Sequence, residues 1–330
     1  MRVVAGVDKF RGTASAAEVA AAIGHACWER GHDCVEVPLA DGGEGLLEVL
    51  GGANRTTSVT GPLGTPVDAP WRLHRQTAII EMALASGLML AGGAQGNDPM
   101  AATTAGTGEL IDAAVTAGAQ RIIVGLGGSA TTDGGLGALQ AIRSPARLKA
   151  VELLVACDVT TTFTDAARVF GPQKGATQTQ IKMLTRRLEQ LAQRYQAEFD
   201  CDVTQIEGSG AAGGIAGMLA ALGGRLTPGF ELVADELDLY DQVEAADLVI
   251  TGEGHLDAQS FQGKVVGGLA AVAAEYGVPI AAIVGIADTD VVDQIPTWAI
   301  AERFGEQRAL REPLWCVERI AAELLADYET

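Results

Sequence analysis

Apolar and polar positions fall into two regimes along this chain. At the amino end, residues 3–7 form a short apolar run that reads as a strand. Ser15 with Glu18 three residues on has the spacing of a capping box, and Val19, Ala22, Ile23 and Ala26 then recur at helical intervals. Gly31 closes that helix, and 34–39 is the next strand. Residues 248–251, 280–284 and 298–301 are further short apolar runs, with a helical stretch at 265–275. Two amino-terminal and three carboxy-terminal strands predict a five-stranded parallel sheet of the doubly wound kind.

The middle of the chain behaves differently. Strand-like runs at 55–60, 67–74 and 78–82 are separated only by Gly61-Pro62-Leu63-Gly64 and a polar turn near Arg75-Gln76. Connections this short suit an antiparallel meander and cannot hold crossover helices. A helix at 108–117, apolar strands at 122–124 and 153–157, and an amphipathic helix at 181–195 follow. The pattern predicts a two-domain α/β protein in which a mixed α/β domain, residues 54–243, is inserted into a discontinuous parallel-sheet domain, residues 1–53 plus 244–330. A cleft between the two is the expected substrate site, since domain interfaces are preferred ligand positions. Gly51-Gly52 near the crossing reads either as a helix cap or as a hinge. No fixed-period repeat is present, which excludes solenoids and propellers.

Composition narrows the class. The 330 residues are 48% hydrophobic and 20% charged, as in soluble proteins with large cores. A net charge of -19 lacks the basic footprint of a nucleic-acid binder, and an anionic membrane surface would repel it. Asp8, Lys9 and Arg11 interrupt the first apolar stretch, so it does not read as a secretory signal. Five scattered cysteines without a CxxC pair suit reduced thiols in the cytoplasm. A homo-oligomer is left open. Glycine is the abnormal number, 42 residues, against about 7% in average usage.

That excess falls into four glycine–acid clusters: Ala40-Asp41-Gly42-Gly43-Glu44-Gly45, the run from Gly125 through Gly127-Gly128-Ser129 to Asp133-Gly134-Gly135, Gly208 to Gly214, and Thr251-Gly252-Glu253-Gly254-His255-Leu256-Asp257. Three of them directly follow strands, where open α/β sheets bind ligands. A Gly-Gly-Ser turn feeding a helix exposes several amides to an anion. The competing reading is that these glycines serve tight turns and Asp133 caps a helix. None matches a P-loop, and no GxSxG elbow is present. Lys264 and Lys174 each lie in a turn-rich loop and, taken singly, read as solvated surface lysines. Of the four histidines only His255 lies in a motif.

In this order, these words resemble the type I glycerate kinase family. Further matching pieces are Asp8-Lys9-Phe10-Arg11-Gly12, Glu81-Met82-Ala83-Leu84-Ala85-Ser86-Gly87-Leu88, Gly106-Thr107-Gly108-Glu109-Leu110-Ile111 and Val169-Phe170-Gly171-Pro172-Gln173-Lys174-Gly175-Ala176. The resemblance implies a flavodoxin-like domain with an inserted second domain, and ATP- and Mg2+-dependent phosphorylation of D-glycerate to 2-phosphoglycerate. The motif match supplies the positions; the roles expected at them are Asp133 as the base, with Lys264 and Arg11 as catalytic cations. Asp8, Lys9, Asp41, Gly42, Gly43, Gly127, Gly128, Ser129, His255 and Asp257 become substrate or phosphate contacts, and Asp41, Glu44 and Glu253 magnesium neighbours. Lys9, Arg11, Thr132 and His255 depart from the family's usual residues. The alternatives are therefore a kinase for another small sugar acid, or a non-catalytic homologue that binds a sugar acid or nucleotide.

Overall fold

The computed structural model describes residues 1–328; residues 329 and 330, at the end of the expected 244–330 segment, lie outside the described residues. In chain order the strands begin with β1 (Arg2–Val7), β2 (Asp33–Pro38), β3 (Arg55–Thr60), β4 (Pro66–His74), β5 (Thr77–Glu81), β6 (Arg121–Gly125) and β7 (Glu152–Ala156). They continue with β8 (Arg225–Thr227), β9 (Leu248–Gly252), β10 (His255–Leu256), β11 (Ile280–Val284), β12 (Ile286–Ala287) and β13 (Thr297–Ala299). The chain divides into two compact α/β units, one of Met1–Asp41 with Gly229–Thr330 and the other of Gly42–Pro228.

In the first unit the strand order is β2-β1-β9-β11-β13, all parallel. This is the flavodoxin-like order, whose direction reverses between β1 and β9. Central β1 is buried from Val3 to Val7, whereas β2, at the edge, is half exposed. Helices on both faces explain why the inner strands are apolar throughout and do not alternate. Ala281 and Ile283 of β11 pack with helices Ala16–Glu29 and Pro313–Tyr328, through Val19, Ile23, Ile320 and Leu324. The alternate residues Ala282 and Val284 pack on the other face with Val266 of helix Val265–Tyr276. Ser15 and Glu18 form the capping box that their spacing predicts. The fifth strand stops at Ala299, short of the expected 301, because Ile300–Phe304 turns into a helix.

In the second unit the sheet order is β3-β4-β5-β6-β7-β8. The first two pairings are antiparallel and the rest parallel. The meander therefore continues into a parallel half-sheet, with helices Ala105–Thr116, Gln178–Phe199 and Ile215–Ala221 contributing to one core. Helix Gln178–Phe199 starts at a Thr177–Gln180 capping box and buries Leu184, Leu188, Leu191 and Tyr195. No helix among the described residues is long and apolar enough to cross a membrane.

The units divide at 41/42 and 228/229, not at the 53/54 and 243/244 read from the pattern. The carboxylate of Glu81 explains the first shift. Buried at the end of β5, its Oε2 accepts hydrogen bonds from the Gly45 and Leu47 amides, each at 3.2 Å. These amides belong to the start of helix Leu46–Val49, which is thereby tied to the second sheet. Arg72 of β4 holds the other end, donating from Nη1 to the carbonyls of Gly51 (2.7 Å) and Gly52 (3.1 Å). Gly51 and Gly52 both have positive φ, and the Gly52 amide donates to Leu47. They form the cap of this helix, inside one unit, and not a hinge. The second shift follows from helix Gly229–Glu236, whose Phe230 packs against Gly268 of helix Val265–Tyr276.

Replacing Glu81 with Ala should lower stability by about 2 kcal/mol or more, since it orphans two donors of a charge-assisted cap. Urea unfolding reads the loss. Amide exchange at Gly45 and Leu47 should accelerate with it, and unchanged exchange at both would contradict this account.

Candidate active site

The carboxyl ends of β1 and β9 flank the point where the first sheet reverses its order, so the loops that follow diverge there and leave a crevice. A cavity of about 630 Å³ occupies the first unit at this place. Its lining includes Asp8, Lys9 and Arg11 after β1, Asp41 beyond β2, and Glu253, His255, Asp257 and Lys264 after β9. Eight of the residues singled out from the sequence are thus gathered by one unit.

The cavity is rich in mutually repelling carboxylates. Burial pushes Asp8 up to about 6, with Lys9 opposing and Asp41 adding to the rise. Burial likewise pushes Glu253 up to about 7; Ser260 and Lys264 oppose, while Asp8 and Asp257 add. Glu253 Oε1 is buried without a hydrogen-bond partner among the described residues. A desolvated carboxylate oxygen lacking a partner is costly, which marks it as a place for a cation or a proton. Hard oxygen donors of this kind suit Mg2+. Asp41 and Glu253, of the residues expected near magnesium, are the two that line this cavity. Glu44, the third residue expected near magnesium, is exposed, belongs to the second unit and is not among the residues lining this cavity.

Two lining residues have evident structural work. Asp257 Oδ1 accepts from the Gln259 (2.8 Å) and Ser260 (3.1 Å) amides and caps the short helix Ala258–Phe261. His255 Nε2 pairs with Asp288 Oδ1 at 2.9 Å, both side chains about half exposed.

The second unit holds the other expected residues. The loop after β6 begins at Gly127, where a Cβ would stand 2.7 Å from the Gly43 Cα and 2.9 Å from the Glu44 nitrogen. Gly43 and Glu44 therefore lie against this loop and Gly42 against Gly125 at the end of β6, and only glycine permits the approach. Gly128 takes a left-handed φ of 67°. The Gly127, Gly128 and Ser129 amides have no acceptor among the described residues, so three donors remain for an anion. Asp133 is buried and fully engaged. Its Oδ2 accepts from the Thr104 amide (2.9 Å), the Thr104 hydroxyl (2.9 Å) and the Gly137 amide (3.1 Å), and its Oδ1 from the Gly135 amide (3.0 Å).

The glycerate kinase family model matches residues 3–144 and 142–325. The chain belongs to the glycerate kinase family. It is 41% identical to glycerate 2-kinase of Escherichia coli (strain K12), over 88% of this chain and 87% of that one. With glycerate kinase of Bacillus subtilis (strain 168) it shares 39% identity, over 88% and 86% respectively. A crystal structure designated glycerate kinase 2 from Salmonella typhimurium LT2 superposes with a TM-score of 0.83 at 36% identity, covering 100% of both chains. Membership makes the protein a phosphotransferase with an alcohol group as acceptor.

Several glycerate kinase motif residues that sequence reasoning passed over carry the scaffold. Glu109 accepts from both the amide and hydroxyl of Thr60 at 2.7 Å, and the Thr107 hydroxyl donates to Ser86 at 2.9 Å. Lys174, which reads as a solvated lysine, is instead buried. A single charge in a turn-rich loop gives no sign in the sequence of where the loop folds. Only the repeated glycines around it hint at close packing.

Asp133→Asn should cost about 2–4 kcal/mol, because amide nitrogen cannot accept and at least one buried donor is orphaned. A denaturant midpoint equal to wild type would show that its bonds do not hold the loop. Glu253 gives a pH signature. Its folded pKa lies above the ordinary 4.5, so its contribution to stability is complete below about pH 4.5 and lost as pH rises to about 7. In protein treated with chelator, Glu253→Gln should raise Tm at pH 8 and change it little near pH 4.5. An equal Tm difference at both pH values would contradict the burial account.

Proposed function

We propose that this protein transfers the γ-phosphoryl group of ATP to the 2-hydroxyl of D-glycerate, giving 2-phosphoglycerate, with Mg2+ as cofactor. The observation that carries this reading is the collection of Asp8, Lys9, Arg11, Asp41, Glu253 and Lys264 around one cavity at the switch point of the flavodoxin-like sheet. The names of the relatives supply the substrate class. Phosphoryl transfer asks mainly for positioning and charge neutralisation, with a group that accepts the hydroxyl proton.

Lys9, Arg11 and Lys264 bind phosphate oxygens. Lys264 stands at the N-cap of helix Val265–Tyr276, whose first amides add positive potential. Asp41 and Glu253 hold the magnesium ion, which when bound neutralises charge on the transferring phosphates. Asp8, which burial raises to about 6, accepts the hydroxyl proton at its carboxylate. In the second unit the Gly127, Gly128 and Ser129 amides take an anion, a carboxylate or a phosphate. Asp133 is assigned to holding that loop, in place of the base role expected for it from the sequence, because four donors already occupy its oxygens.

The test is turnover with ATP and Mg2+ against a panel of small hydroxy acids, the product's position read by phosphorus NMR. D-Glycerate should give the highest kcat/KM and a 2-phosphate. A better acid in the panel would shift the substrate, and nucleotide binding without turnover on any acid would mark a binding protein. Asp8→Asn should lower kcat by orders of magnitude with Tm retained or raised at pH 8. Turnover like wild type would remove it as the proton acceptor.

A further inference from the structure

Three loops of the second unit are joined by hydrogen bonds around Lys174. Lys174 lies at the end of the short helix Pro172–Lys174 and is 3% exposed. Its Nζ donates to the Thr131 carbonyl at 2.6 Å and reaches the Ser129 hydroxyl at 3.5 Å. The Ser129 hydroxyl also lies 3.0 Å from Thr131 Oγ1 and accepts from the Thr131 amide at 3.1 Å. Both of these hydroxyls reach the Ala212 carbonyl, at 3.3 and 3.4 Å. Ala212 has a left-handed φ of 51°, unusual outside glycine, followed by Gly213 and Gly214 at 74° and 97°. A Cβ on Gly213 would collide with the Thr131 carbonyl. The backbone of Lys174 is bolted too: Asn97 Nδ2 donates to its carbonyl at 2.9 Å and to that of Ala130 at 3.0 Å. So much construction around a lysine end is not needed for packing alone. A methionine would fill the same space without the cost of burying a charge.

We propose that Lys174 is a positioning residue: its ammonium sets the Ser129–Thr131 segment and supplies, at the Ser129 end of the Gly127–Ser129 loop, the positive charge that the bound anion requires. This rests on the reading of that loop as an anion site, with the carboxylate of D-glycerate and the phosphates of ATP as the anions to be tested. Two further hydroxyls of these loops, Thr132 Oγ1 and Ser209 Oγ, are buried without partners among the described residues, so the polar enclosure extends beyond the lysine's own bonds.

Charge balance favours the same role. Of the groups facing Lys174, Asp133 is the ionisable one that acts on it, and its oxygens are spent on four other donors. The segments 211–214 and 93–96 carry no ionisable side chain. Burial consequently lowers the lysine to about 7, with Asp133 opposing. An anion bound at this loop favours the protonated form, so binding and proton uptake are linked.

Calorimetric titration in buffers of differing ionisation enthalpy measures that linkage. D-Glycerate and, separately, ATP with Mg2+ are titrated into wild type and Lys174→Met at about pH 8 and about pH 6. Wild type should take up protons on binding D-glycerate at the higher pH, approaching one per site, and close to none at the lower. Lys174→Met should lose that increment and, at about pH 8, bind D-glycerate about tenfold more weakly or worse, the loss expected if the bound anion raises the lysine by about two pKa units. Wild type that binds D-glycerate with no uptake, or with the same uptake as Lys174→Met, overturns the proposal and leaves the substrate assignment standing. Uptake dependent on Lys174 with the nucleotide, while D-glycerate does not bind, keeps the lysine's role and removes the carboxylate reading. Absence of binding by either overturns both. The wild-type measurement stands even if the variant does not fold.

Discussion

The arrangement at the first unit depends on one pairing constraint. β1 is hydrogen-bonded on both sides, to β2 and to β9, in register from Val3 to Val7. This brings Gly252 opposite Val7, although 245 positions of chain separate them. Asp8 and Glu253 are the next residues along each strand, so parallel pairing alone sets their loops side by side. Reversal of strand order at this pair then opens the crevice between those loops. Asp8, brought beside Glu253 in this way, raises the proton affinity of Glu253 on top of the larger effect of burial, as Asp41 does for Asp8.

The second unit solves a different problem, that of building glycine loops that keep one shape. Glycine allows close approach and left-handed turns but gives the chain freedom that must be removed. Buried polar side chains remove it here. Asp133 ties Thr104 to the start of helix Leu136–Ala141, Glu81 ties helix Leu46–Val49 to β5, and Lys174 ties the 129–131 segment to the Pro172–Lys174 turn. Each of these groups is costly to bury and is repaid only when its hydrogen bonds are complete. Charged residues in the family's motif words therefore divide into two kinds. Those of the first unit line a cavity, and those of the second mostly hold backbone.

How much was legible in the sequence follows from the range of the forces involved. Strand and helix positions were readable because apolar periodicity is local: the five parallel strands, the meander, the Ser15–Glu18 capping box and helix Gln178–Phe199 all lie where the pattern puts them, within a few residues. The resemblance to the glycerate kinase family was likewise carried by short words in fixed order. Three-residue β8 and helices Gly229–Glu236 and Leu239–Glu244 left too short or weak a period to be read.

What the tertiary structure decided was the function of each charge. Asp133, Lys174 and Lys264 look alike in sequence, each a charge beside glycines. Folding buries the first two against donors and acceptors tens of residues away and leaves the third at the rim of a cavity. The same holds for Gly51-Gly52, which became a cap once Arg72 closed on its carbonyls. Sequence by itself determined the elements, the family and the set of candidate residues, because these depend on neighbours within a few positions. Burial and hydrogen-bond saturation depend on partners that only the closed sheets bring near, and those two quantities separate a group that binds from one that holds.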